Sequence, residues 1–237
     1  YLFNVQFLES SYVGLRSAFH ELESDVAKPK FLVLPMVHIG DKSFYDEVSR
    51  RLDDCQTIIY EGVPGFRTRL LTQAYRITAK KKSLNLTLQR DAVRINDQEA
   101  RKVHADVTSE GFAANWRGLP WLQQIGLTIL APLYGVWSYM FSTRESLAKG
   151  RSTDSLSNSK ALRKDDSAIA VRDVFLTKRD EFIVFQIDKY LDAHKNVGET
   201  VAILFGAGHM PAIVSHLSEK HGYSSKKAEW ISAITVS

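Results

Sequence analysis

The chain has 237 residues, enough for one large domain with a sizeable core. Its 44% apolar and 24% charged residues are ordinary for a globular protein, and a net charge of +4 without a basic, aromatic-laced tract argues against nucleic acid as a partner. A single cysteine, Cys55, excludes an intrachain disulfide and reads as a small buried apolar residue.

The first residues, "YLFNVQFL", have no basic region and only a short apolar run, so they do not read as a signal peptide. "KFLVLPM", Lys30–Met36, is a short apolar run between Pro29 and Gly40, as a buried strand should be. "SFYDEVSRRLDDC" then spaces Phe44, Val48, Leu52 and Cys55 by three or four, which is one face of a helix. Residues 57–61, "TIIYE", form a second strand stopped by "GVPG". A basic, helical stretch runs on to about Lys82, whose "KKK" reads as a solvated face.

"DAVRIND" and "RKVHADV" read as two short strands. Residues 174–194 form a long helix, and residues 200–205, "TVAILF", the clearest buried strand. "MPAIVSHLSEKHG" is a helix closed by Gly222, and "AEWISAITV" a last strand. Strands alternating with helices predict an α/β fold, with a largely parallel or mixed sheet flanked by helices, in one domain over 1–237.

Trp121–Phe141 carries no charge and is about long enough to cross a bilayer as a helix. Pro132 would kink that helix or split it in two. The leading expectation is a buried or lid helix pair. The rivals are a membrane-contacting hairpin and a true span. With the polar, serine-rich stretch that follows, it makes a helical insertion over 119–167. The protein is thus expected to be cytoplasmic or membrane-associated.

In parallel α/β sheets, ligands bind beyond the carboxyl ends of the strands. His38, Glu61 and His209 each follow a strand. Two imidazoles and a carboxylate are what a catalytic zinc, manganese or cobalt ion needs, with one position left for water. Gly206 and Gly208 fit a backbone that turns sharply or approaches a ligand closely. "GAG" lacks the further glycine of a phosphate-cradling fingerprint. His104 and Asp106 end a strand; the leading expectation for them is a structural hydrogen-bond role, and the alternative is that they reach the cleft. Arg179 and Asp180 sit on the long helix, as a buried ion pair or with the guanidinium facing the cleft. His20, His194, His216 and His221 are assigned to helices, as surface or capping groups.

These residues, in this order, resemble the TraB/PrgY/Tiki/GumN group over roughly two thirds of the chain. The pattern there is a strand ending in G-x-x-H, a helix, a strand ending in Glu, an Arg-Asp or Arg-Asn pair on a helix and a second strand ending in G-x-x-H. Here the second motif is complete, Gly206-Ala207-Gly208-His209. The first is Pro35-Met36-Val37-His38, with proline in place of glycine. The resemblance implies a fold like that of erythromycin esterase and the ChaN haem-binding proteins. It implies a metal-dependent, peptidase-like hydrolase with His38, His209 and Glu61 at the metal and Arg179 at the oxyanion or substrate carboxylate. It also matches Asp106 to an aspartate of the TraB branch, where a peptide signal is inactivated or sequestered, and members of the group are often membrane-associated. The alternatives are a peptide- or haem-binding protein without chemistry and a metal-free esterase-like hydrolase using His38 and Glu61.

Overall fold

The computed structural model describes residues 5–62, 73–95, 100–149 and 176–236. The sheet strands are β1 (Leu8–Ser11), β2 (Gly14–Ser24), β3 (Lys30–Met36), β5 (Thr57–Tyr60), β7 (Arg101–His104), β8 (Thr200–Gly206) and β9 (Tyr223–Thr235); β4 (Ile39–Gly40) and β6 (Thr87–Leu88) pair separately. The helices are α1 (Lys42–Asp53), α2 (Gln73–Ala79), α3 (Gln89–Ala92), α4 (Ser109–Arg117), α5 (Trp121–Phe141), α6 (Arg144–Ala148), α7 (Lys178–His194) and α8 (Met210–His221).

Four strands, in the order β3-β8-β5-β7, run parallel. β2 joins β3 antiparallel, and β9 pairs along the whole of β2. The result is a mixed, largely parallel seven-stranded sheet with helices on both faces. Side chains alternate across a strand, so each parallel strand feeds two cores. Leu32, Leu34, Ile58, Ala202 and Leu204 pack with Phe44, Val48 and Leu52 of α1. Phe31, Val33, Ile59, Ile203 and Phe205 pack instead with Ile183 and Ile187 of α7 and Ile213 and Leu217 of α8. That double burial is why these strands read as continuous apolar runs. Cys55 is buried as expected, and burial pushes its thiol up to about 12.

Pro35 sits inside β3, where a missing N–H should break a ladder. It is tolerated because the pairing with β2 stops at Val33. The Ser17 hydroxyl then donates to the Pro35 carbonyl at 2.7 Å. After β8, a single turn at Ala207–His209 leads into α8, with Pro at its start and Gly222, at a φ of 68°, closing its end.

Several expectations need correction. "DAVRIND" is not a strand: Asp91 and Ala92 end the short helix α3, while residues 96–97 lie outside the described residues. His20 lies on β2, not on a helix, and burial lowers its pKa. β9 begins at Tyr223, before the expected start. α5 is one helix, not two, and most of its large apolar side chains are exposed rather than buried. Among the described residues, no helix is long and apolar enough to cross a membrane. The polar linker at 150–167 lies outside the described residues.

Candidate functional site

Three adjacent parallel strands end together. Met36 of β3 is level with Gly206 of β8, and Tyr60 of β5 is level with Leu204. The chain leaves β5 into Glu61, β7 into Asp106 and β8 into His209, all at the carboxyl edge of the sheet. The first turn of α7 brings Arg179 and Asp180 to the same edge.

Asp106 is buried and fully satisfied. Its Oδ1 accepts from the Arg179 Nε at 3.0 Å and from the Val107 amide at 2.8 Å. Its Oδ2 accepts from Arg179 Nη2 at 2.5 Å and from the Gly62 amide at 3.2 Å. This two-point fork fixes the guanidinium plane. Burial works against the charge on Arg179, but the bonds from Asp106 and the fields of Glu61, Asp106 and Asp180 outweigh it and raise its pKa. Nη2 lies 3.8 Å from Glu61 Oε2, so the same cation also faces the glutamate.

Glu61 Oε2 accepts from the Gly206 amide at 3.0 Å. His209 is buried, and its Nδ1 lies 2.6 Å from Asp180 Oδ1. Its Nε2 lies 3.7 Å from Glu61 Oε2. The Asp180 carboxylate can only accept, so it selects the tautomer with the proton on Nδ1. Nε2 is the nitrogen that faces Glu61. Gly206 has an extended backbone with φ of −54°, and Gly208 does not have a positive φ. Neither makes the left-handed turn its residue type allowed. A methyl group on Gly206 would meet both Glu61 carboxylate oxygens at 3.5 Å, an ordinary contact, so close packing does not demand glycine there.

The other candidates stand elsewhere. His104 is exposed, with its Nε2 at 2.6 Å from the Gly62 carbonyl oxygen and its ring beside Tyr60. His38 is exposed, and its ring centroid lies 4.7 Å from that of Tyr75 on α2. No trio that includes His38 brings ligand atoms within 4.8 Å of one another among the described residues. Nor does any trio that includes His209 or Glu61 meet that distance among the described residues.

A separate group does meet that distance. Asp188 on α7 and His216 and His221 on α8 place their ligand atoms within 4.8 Å of one another and could hold a metal ion. Asp188 Oδ1 lies 2.7 Å from His216 Nε2 and 2.6 Å from His221 Nε2, and Oδ2 accepts from Lys220 at 2.6 Å. Sequence reasoning missed this group, because the two histidines are five residues apart and the aspartate lies on another helix. Burial opposes the Asp188 charge, but Lys220, His216 and His221 outweigh it and hold the carboxyl far below the usual range. A depressed carboxyl contributes stability above its unfolded value that is lost as pH falls. Asp188→Asn should therefore lower stability by an amount that is complete above about pH 4 and shrinks below it. Urea denaturation of both chains across a pH series checks this.

The chain matches no family model, and neither curated proteins nor solved structures gave a match.

Proposed function

We propose that the chain is a metal-dependent hydrolase, with His209 and Glu61 as ligands and Asp180 behind His209. One observation supports this most: Asp180 holds Nδ1 of His209 and leaves Nε2 facing Glu61. A histidine with one nitrogen on a carboxylate and the other free beside a second carboxylate is a common donor arrangement for zinc, manganese or cobalt. A bound ion would lower the pKa of its water and polarise a substrate carbonyl.

The chain's own groups do the rest. Asp180 fixes the tautomer and orientation of His209. Glu61, where it does not ligate, accepts a proton from the attacking water. Arg179 supplies a fixed positive charge where negative charge develops on the carbonyl oxygen, and Asp106 stops the guanidinium from swinging away. Peptides as substrates, and attack at a carbonyl, are proposed on the strength of the motif resemblance.

A second reading has its own support. Asp180 and His209 form an oriented acid–base pair. In that metal-free esterase-like hydrolase, His209, held by Asp180, is the general base in place of His38.

Elemental analysis and peptide turnover separate the two. Unmodified protein should carry on the order of one transition-metal ion at this site. That ion should be lost in His209→Ala and Glu61→Gln and kept in a His216→Ala, His221→Ala double variant. Loss in the double variant alone would move the ion to Asp188. Turnover that survives chelation would favour the metal-free pair. Peptide binding without product would leave a capture protein.

A further inference from the structure

A surface helix in water turns its large apolar side chains inward. α5 does the reverse. Its inward stripe runs through Gln124, Leu127, Gly135 and Ser138, spaced by three, eight and three. A β-carbon on Gly135 would fall 2.8 Å from the Ala74 Cα, so α2 and α5 touch backbone to backbone. Thr78 of α2 donates to the Ser138 hydroxyl at 2.9 Å, and Ser138 pairs with Ser142 at 2.8 Å. The outward surface carries Leu130 at 63% exposure, Leu133 at 58%, Trp137 at 54% and Phe141 at 62%.

A close glycine contact and paired hydroxyls inside, with most large apolar side chains outside, is how helices pack when the surroundings are lipid. There, no hydrophobic drive holds two helices together, and close approach and hydrogen bonds do instead. An exposed apolar surface of this kind marks an interaction site. Charge identifies the partner. α5 has no charged residue. At its carboxyl end, Lys81 donates to the carbonyls of Met140 and Ser142, which brings the turn of Lys80, Lys81 and Lys82 beside the apolar surface. Lys80 and Lys82 are exposed, as is Arg117 just before the amino end. A second copy docked symmetrically on this face would set these cations against their own images.

We infer that α5 is a membrane-docking helix that lies in the headgroup region of an anionic bilayer, with its apolar surface down and the flanking cations on lipid phosphates. At 1.5 Å per residue it extends about 30 Å along that surface. Trp121 and Trp137 are the side chains that favour this depth.

Flotation of the full chain with vesicles tests this, using phosphatidylcholine alone and phosphatidylcholine with phosphatidylglycerol. The chain should float with the anionic vesicles and much less with the neutral ones. Leu130→Ser with Leu133→Ser should abolish flotation; both residues are exposed, and circular dichroism confirms that the variant folds. Lys80→Gln with Lys82→Gln should weaken partitioning about fivefold for each lysine removed. No flotation with either vesicle overturns the inference, and so does a serine variant that floats like the parent. Equal flotation on neutral vesicles overturns the anionic partner. Self-association without flotation, lost in the serine variant, would assign the face to a second copy instead.

Discussion

Arg179→Ala should destabilise the fold by about 3–5 kcal/mol, more than any other single change in the site. The reason is what it leaves behind. Asp106 is fully buried, and the guanidinium supplies two of its four hydrogen bonds and is the cation paired with it among the described residues. Two backbone amides remain, and they do not balance a buried carboxylate. Arg179→Lys should recover part of the loss, because an ammonium keeps the charge but cannot reproduce the fork. Pairing Arg179→Ala with Asp106→Asn should cost less than the two single losses added together, because the second change removes the stranded charge. Urea denaturation of the four chains measures this directly. Additive losses would mean that Asp106 and Arg179 do not act as a pair. The same pair holds a cation 3.8 Å from Glu61, so stability and site electrostatics share one contact.

Much of this was readable from residue order. β3, β5 and β8 are buried on both faces, so their apolar runs stand out, and α1, α7 and α8 show helical spacing. The alternation of these elements implies parallel strands, and parallel strands place Glu61, Asp106 and His209 on one edge. The antiparallel half of the sheet was harder to read. β9 is an edge strand in which buried Tyr223 is followed by "SSKKAE", mostly exposed and with no apolar alternation to detect. β2 buries polar Ser17 and His20 among its apolar residues, which blurs its period. α5 misled because absence of charge usually means burial, and here the uncharged surface faces outward. The direction of the His38 side chain was not readable either. A histidine after a strand can leave toward either face of the sheet, and this one turns to Tyr75, which packs against the α1 core. Asp180 was visible as a charged residue on α7, but its role depends on a 2.6 Å contact with a residue 29 positions away.

Asp180→Asn is the sharpest test of what that contact does. The carboxylate accepts and cannot donate, so it keeps the Nδ1 proton in place and Nε2 free. An amide of the same shape can turn its NH2 toward Nδ1, which would put the proton on Nε2 and remove the lone pair available there to a metal. If His209 is a metal ligand, the substitution should weaken metal affinity about 10–100-fold while leaving the melting temperature of metal-free protein nearly unchanged. A merely structural role would do the opposite, lowering the metal-free melting temperature with affinity intact. If His209 acts without a metal, turnover should fall by a similar or larger factor, and the limb of the pH–rate profile that reports the base should move. Competition titration with a coloured chelator reads the first effect, and the pH profile reads the second. An Asp180→Asn chain with unchanged metal affinity and an unchanged pH profile would leave His209 without a chemical role, and the hydrolase reading would fall with it.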